Sequence, residues 1–243
     1  MRGAPPLIAL ALLALPAFAA PAPDMAERTR ACTACHGEQG RAGPDGFYPR
    51  LAGKPAGYLH NQLRHFAQGQ RHYGLMARLV APLSDEYLGE IARHFASLEL
   101  PYPPPVSSGQ DARTLQRGQD LVRQGDPSRQ LPACQSCHGQ RLTGIQPNVP
   151  GLLGLPRDYL NAQLGAWQTG QRRAHAPDCM AAVVKRLPPN DIIAVSSWLA
   201  SQPLPADTRP AAQTPRPALD AAFQCGSAPE LSASKLSTNG SRP

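Results

Sequence analysis

The chain has 243 residues, six cysteines, 28 prolines, 5% aromatic residues and a formal net charge of +7. At about 100–200 residues per domain, that length suits two small domains, and so few aromatic residues leave little apolar core for each, which favours a staple such as a metal or a crosslink. The arginines are scattered without a dense basic run, which argues against a nucleic-acid partner.

Residues 1–20 are predicted to be an export signal. Arg2 precedes an apolar run from Leu7 to Leu15, and Ala17 and Ala19 form the small-x-small pattern of a cleavage site. The run is about half of the roughly 20 apolar residues that cross a bilayer, which disfavours an uncleaved anchor. We therefore predict a signal peptide that is cleaved and a mature protein in the periplasm.

A first domain is predicted over residues 21–102, and its central feature is the motif Cys32-Thr33-Ala34-Cys35-His36 at the end of a short helix. C-x-x-C-H is the attachment signature of a c-type haem, in which the two thiols add to the porphyrin vinyl groups and the imidazole binds the iron. The motif therefore predicts that Cys32 and Cys35 hold a covalent haem and that His36 is an iron ligand.

Two amphipathic helices are predicted after this motif. The first has apolar residues at i, i+4 and i+7 and ends at Gly69; its apolar positions are Leu59, Leu63 and Phe66. The second begins at the N-cap Ser84, and its apolar positions are Leu88, Ile91, Phe95 and Leu98. Leu75-Met76 lies between them and is predicted to be outside regular structure.

A proline-rich linker is predicted over residues 103–112, and a second domain that repeats the first over residues 113–203. Its haem motif is Cys134-Gln135-Ser136-Cys137-His138, and its last helix is predicted at about residues 190–200. Met180 lies 104 positions after Met76, whereas Tyr159 lies only 101 after Tyr58. Three extra residues therefore fall between Arg172 and Met180.

Residues 204–243 are rich in proline, alanine, serine and threonine, and we predict a poorly ordered tail or one draped over the surface. Cys225 lies in this tail and Cys179 directly precedes Met180. They are either a disulfide that holds the tail beside the second site or two unrelated thiols, and an exported protein favours the disulfide.

Two other uses of the paired cysteines have to be weighed against haem. A zinc site needs four ligands around one ion, but the two pairs lie a whole domain apart and each is followed by His and Gly. A thioredoxin-like redox pair belongs on a βαβ pattern, which is missing. Two covalently bound haems c are therefore the predicted cofactors.

Met76 and Met180 are the predicted sixth ligands of the two irons. They lie 40 and 42 residues beyond His36 and His138, in matching positions of the repeat. A thioether favours ferrous iron, so His/Met ligation raises the reduction potential. His72 and His175 lie in the same loops and are the alternatives.

The sequence resembles the dihaem cytochrome c4 family, in which two class I cytochrome c domains follow each other. The resemblance covers residues 25–203 and includes the Tyr-Leu-x-x-Gln-Leu segments that begin at Tyr58 and Tyr159. It implies an all-α fold in which each domain is a small helical fold wrapped round its haem, and in which the carbonyls of Pro49 and Pro150 accept a hydrogen bond from the ligand histidines. The family's aromatic residue on the last helix is kept as Trp198 but replaced by His94 in the first half.

Arg71 and Arg172 occupy equivalent positions after a glycine. Each either pairs with haem propionates or is a solvated cation at a helix end.

The predicted function is electron transfer without catalysis, between a membrane donor and a terminal oxidase or from a periplasmic dehydrogenase. Peripheral association with membrane complexes is compatible with this function. The alternatives are a cytochrome subunit of a periplasmic dehydrogenase complex and, less favoured, a dihaem peroxidase, which needs an iron with an open site.

Overall fold

The computed structural model describes residues 24–43, 45–105, 107–212 and 223–226, so the predicted signal peptide lies outside the described residues. The fold is mostly helical, as predicted, with one small two-stranded sheet. The helices of the first half are α1 (Met25–Arg28), α2 (Arg30–His36), α3 (Ala56–Ala67), α4 (Gly74–Val80) and α5 (Asp85–Ser97). Those of the second half are α6 (Ala112–Arg123), α7 (Cys134–His138), α8 (Arg157–Gln168), α9 (Cys179–Val184) and α10 (Pro189–Ser201). Strands β1 (Gly144–Ile145) and β2 (Val149–Pro150) pair antiparallel.

The cap of α5 and the buried apolar faces of α5 and α10 are those that their sequences predict. Ser84 caps α5, since its Oγ accepts a hydrogen bond from the Tyr87 amide at 3.2 Å. The inward stripe of α5 is buried through Leu88, Ile91 and Phe95, whereas Leu98, predicted on the same stripe, is the half-buried residue just after the helix. On α10 the equivalent stripe is Ile192, Val195 and Leu199. None of the described helices is long and apolar enough to cross a membrane.

Each half has its own buried apolar residues. In the first half α3 packs on α5, with Leu59 and Phe95 among the buried contacts. In the second half α6 crosses α10 so closely that a Cβ on Gly118 would lie 2.2 Å from the carbonyl oxygen of Ala194. Glycine is required there because the two backbones touch.

Met76 and Met180 both lie in short helices, α4 and α9, so the prediction that Leu75-Met76 lies outside regular structure is wrong. Each helix is held by a valine at its C-terminal end: Val80 is 2% exposed and Val184 is fully buried. Such short helices are stabilised by tertiary packing rather than by intrinsic propensity, and they therefore carry no clear periodic signal.

Part of the tail packs against the second half, so of the two predicted states these residues adopt the one draped over the surface, and poor order is wrong for them. Ala211 pairs with the strand residue Ile145, and its amide donates to the carbonyl of Gly144 at 2.9 Å. Phe223 is 5% exposed, and Cys225 forms a disulfide with Cys179. Specific contacts of single residues thus outweigh the composition of the segment.

Candidate functional site

A continuous cavity of about 1220 Å³ runs through both halves. It exceeds the roughly 300–1,000 Å³ that one small-molecule site usually occupies, so it has room for more than one group. All of the predicted site residues line it: Cys32, Cys35, His36, Pro49, Arg71, Met76, Cys134, Cys137, His138, Pro150, Arg172 and Met180. Residues that lie a whole domain apart in sequence are thereby brought to one connected space.

Each motif histidine is held in one tautomer by a backbone carbonyl. Nδ1 of His36 lies 2.8 Å from the carbonyl oxygen of Pro49, and Nδ1 of His138 lies 2.8 Å from that of Pro150. A carbonyl only accepts, so the proton must sit on Nδ1 and the lone pair on Nε2. Burial lowers the pKa of His36, which keeps that ring neutral. A neutral imidazole with its lone pair on Nε2 can bind iron through that nitrogen.

The cysteine environment fits thioether bonds better than thiolate ligands. Burial raises the pKa of Cys32, and it raises the pKa of Cys134 to about 12. Zinc binds the thiolate form, which these apolar surroundings disfavour. In the part of the chain that the structure describes, no three His, Cys, Asp or Glu side chains gather to hold a metal ion. The addition of thiols to vinyl groups leaves uncharged sulfur, which suits this setting.

The two methionines and the two alternative histidines all line the cavity. His72 is exposed, and its amide donates to the carbonyl of Gln171 in the other half at 2.8 Å. The ring of His175 packs on His65 with centroids 4.8 Å apart. Burial, with the nearby charges of His175 and two arginines, lowers the pKa of His65 to about 4, so His65 is neutral at pH 7.

Arg71 and Arg172 meet where the two halves touch, and they are only 8% and 6% exposed. Arg71 donates to Gln62 Oε1 at 3.0 Å in its own half, and to Tyr159 Oη at 3.0 Å and Gln163 Oε1 at 2.6 Å in the other. Arg172 repeats this pattern with the equivalent tyrosine and both glutamines. The alternative of a solvated cation is therefore wrong, and pairing with haem propionates stays a prediction.

Two further buried cations line the cavity, and neither belongs to a motif that the sequence shows. Arg50 is 3% exposed and Lys54 is 5% exposed. Lys54 Nζ donates to the carbonyl of Gly151 at 3.4 Å, and burial with the nearby Arg50 charge lowers the pKa of Lys54 to about 8. Their positions after the Pro49 loop carry no motif of their own, so only the fold shows that they are buried.

The buried side chains of the cavity carry positive charge that needs nearby anions. Among the described residues, no carboxylate forms an ion pair with Arg50, Lys54, Arg71 or Arg172. Buried cations without a counter-charge are costly. Each haem carries two propionate carboxylates, so two haems would supply the missing negative charge, and the residues present fit the predicted cofactors.

Comparison with known proteins gives a consistent set of relatives. No family model matches the sequence. The chain is 37% identical over 201 residues to a thiosulfate dehydrogenase electron acceptor of Thiomonas intermedia, covering 82% of this chain and 91% of that protein. It is 32% identical over 196 residues to a cytochrome c4 of Pseudomonas aeruginosa, covering 79% of this chain and 94% of that protein.

Solved structures agree. The reduced cytochrome c4 from Pseudomonas stutzeri superposes with a TM-score of 0.62 at 29% identity, covering 72% of this chain and 95% of that one. A thiosulfate dehydrogenase from Marichromatium purpuratum gives a TM-score of 0.64 at 33% identity, covering 71% of this chain. This chain spans 36% of that longer protein.

Proposed function

Because the chain belongs to the dihaem c-type cytochrome family that includes cytochrome c4, we propose that it passes single electrons in the periplasm from a membrane donor to a terminal oxidase. The chain is a dihaem electron carrier with two covalently bound haems c. The observation that supports the proposal is the connected cavity, into which both C-x-x-C-H motifs bring an imidazole whose Nδ1 is hydrogen-bonded to a proline carbonyl.

Each half would hold one haem through its own residues. Cys32 and Cys35 would form the thioether bonds in the first half, with His36 on the iron. Cys134, Cys137 and His138 would do the same in the second half. Bound haem supplies one-electron chemistry because its iron changes valence while the ligands stay in place. The chain contributes orientation, through the carbonyls of Pro49 and Pro150, and an apolar surrounding that excludes water.

Met76 and Met180 would supply the sixth ligand of each of the two irons. With Met76 and Met180 as ligands, neither iron would have an open position for a peroxide or a gas, so the same residues that favour an electron carrier would disfavour a peroxidase. Their helices α4 and α9 aim equivalent positions of the repeat at the cavity. We propose Arg71 and Arg172, together with Arg50 and Lys54, as the cations that balance the propionates.

The experiment is an optical redox titration of the purified protein, with one variant for each ligand candidate. Ferric haem with a methionine ligand has a far-red absorption band. Met76→Ala and Met180→Ala should each remove about half of this band, whereas His72→Ala and His175→Ala serve as matched controls and should keep it. If the parent protein lacks half or all of this band, or if a methionine variant keeps all of it, the ligand assignment is wrong. Rapid consumption of peroxide by the parent protein would point instead to the peroxidase.

A second candidate function is that of an electron acceptor for a dehydrogenase. The observation that favours it is the 37% identity to a protein named thiosulfate dehydrogenase electron acceptor. Oxidative coupling of two thiosulfate ions to tetrathionate forms one S–S bond and releases two electrons, and a carrier with two haems could accept both. In this version the same cavity and the same ligands serve a different donor.

The two donors can be separated by a reduction assay. The oxidised protein is mixed with thiosulfate alone, with thiosulfate and a thiosulfate dehydrogenase, or with membranes supplied with a quinol. Fast reduction only in the second mixture supports the dehydrogenase partner. Fast reduction only by the membranes supports the respiratory donor and excludes the dehydrogenase as the physiological source.

A further inference from the structure

The end of the described tail is fastened to the helix that carries Met180. Cys225 forms a disulfide with Cys179, the residue directly before Met180. The amide of Gly226 donates to the carbonyl of Pro177 at 2.8 Å. Phe223 is 5% exposed and lies under the guanidinium of Arg186 at 4.8 Å. A covalent bond, a hydrogen bond and a buried ring thus hold this segment on either side of the methionine.

The first half provides an internal comparison, because its ligand helix α4 has exposed leucines at the equivalent positions. Leu75 occupies the position of Cys179 in the repeat and is 55% exposed. Leu79, one turn further on, is 40% exposed. Residues 223–226 therefore pack against the second ligand helix at a position whose counterpart in the first half, Leu75, is exposed.

The second ligand helix is short and follows a longer loop than the first. Three extra residues precede it in the loop after Arg172, and a longer loop has more conformational freedom to lose. Helix α9 has only six residues, far below the roughly 12–15 at which an isolated helix becomes marginally stable. Asp178 caps its first turn by accepting from the amide of Ala181 at 3.0 Å, and the disulfide ties down the next residue.

The covering segment also belongs to the wall of the cavity, since Phe223, Cys225 and Gly226 line it. We propose that residues 223–226 form a clamp that keeps Met180 directed at the second haem and closes that side of its cavity to outside ligands. Phe223 and Cys225 are thus positioning residues. The inference rests on the proposed ligation by Met180 and goes beyond it, because it assigns the stability of that ligation to the tail.

The test is displacement of the methionine by imidazole, followed in the far-red band of the ferric holoprotein. Two variants release the clamp: the double change Cys179→Ser with Cys225→Ser, and Phe223→Ala. We expect half of the band to disappear at an imidazole concentration at least about tenfold below that for the parent. The other half, from the first haem, should be unchanged. Hydrogen exchange of the amides of α9 should quicken in the same variants.

Asp207→Asn is the matched control. Asp207 lies in the other described part of the tail, where it accepts hydrogen bonds from Arg141 at 3.1 Å and from Arg209, both outside the clamp. It should titrate like the parent. Phe223→Ala keeps all six cysteines and decides the question if the double serine variant does not mature. If both clamp variants resist imidazole as the parent does, the proposal is overturned. If Met180→Ala keeps the full band, it is the ligand assignment that has failed, and the two failures are thereby distinguished.

Discussion

Replacing Gly118 by alanine perturbs the crossing of α6 and α10, and α10 lines the part of the cavity that lies in the second half. A Cβ at this position would lie 2.2 Å from the carbonyl oxygen of Ala194 and 2.8 Å from Cβ of Trp198. Neither neighbour is the free end of a flexible side chain, so the helices have to move apart. Val122 and Leu199, next to the crossing, are 0% and 2% exposed and would lose contacts.

The size of the effect follows from two opposing contributions. Overpacking a well-filled core costs about 1–3 kcal/mol and occasionally more. Alanine in place of glycine inside a helix returns about 1 kcal/mol. The obstacle here is backbone, which places the cost at the upper end, so we expect the free energy of unfolding to fall by about 2 kcal/mol. That corresponds to a roughly 30-fold larger unfolding constant.

The assay is urea unfolding followed by tryptophan fluorescence. The chain has two tryptophans, Trp167 and Trp198, and both lie in the second half, so the signal reports on that half alone. Gly165→Ala on α8 is the control, because a Cβ there meets nothing within 4 Å. It should raise the free energy of unfolding by up to about 1 kcal/mol. If Gly118→Ala proves as stable as Gly165→Ala, the close crossing is refuted.

Three further predictions concern the interface, an ion pair and the thiols. Arg71→Met should lower the free energy of unfolding by about 2 kcal/mol in calorimetry, since it breaks buried charged hydrogen bonds, while the exposed Arg173→Met should change it by under about 0.5 kcal/mol. Burial raises the pKa of Asp191, but hydrogen bonds from Arg117 and Arg129 outweigh it, so the pKa is lowered. The stabilisation that this ionised carboxylate provides is therefore present above about pH 4 and is lost on acidification. In urea melts between pH 5 and 2, the free energy of unfolding of Asp191→Asn should depend less on pH than that of the parent. The denatured holoprotein should take up no alkylating agent before reduction and two equivalents after it, at Cys179 and Cys225, and a different mass increase would contradict the assignment of the six cysteines.

The long helices could be predicted from the sequence because their signals are local. The hydroxyl of Ser84 and the apolar stripe of α5 lie within four turns, and the structure confirms both. The repeated C-x-x-C-H motif likewise identified both sets of cavity residues, since its chemistry depends on adjacent residues. Features that are complete within one segment are the ones that a single sequence reveals.

Features that depend on distant partners were missed or left open. The helix around Met76 has too few residues for a periodic pattern and is held by tertiary contacts. The order of the tail depends on Phe223 and Cys225, two residues in a segment whose composition favours disorder. The sequence predicted that Arg71 either pairs with a haem propionate or faces solvent. Its bond to Tyr159 could not be predicted, because the two residues lie 88 positions apart in the chain.

The contact between the halves nonetheless follows from the repeat. Arg71 reaches the tyrosine and glutamine of the second half, and Arg172 reaches the equivalent pair in the first. Such reciprocal contacts are those of an interface between two identical subunits related by a two-fold axis. Here the linker holds the two copies together at a high effective concentration, so a small polar contact suffices to keep them paired. The cavity continues across this contact, where Arg71 and Arg172 both line it, and we therefore expect electron exchange between the two haems to depend on both arginines.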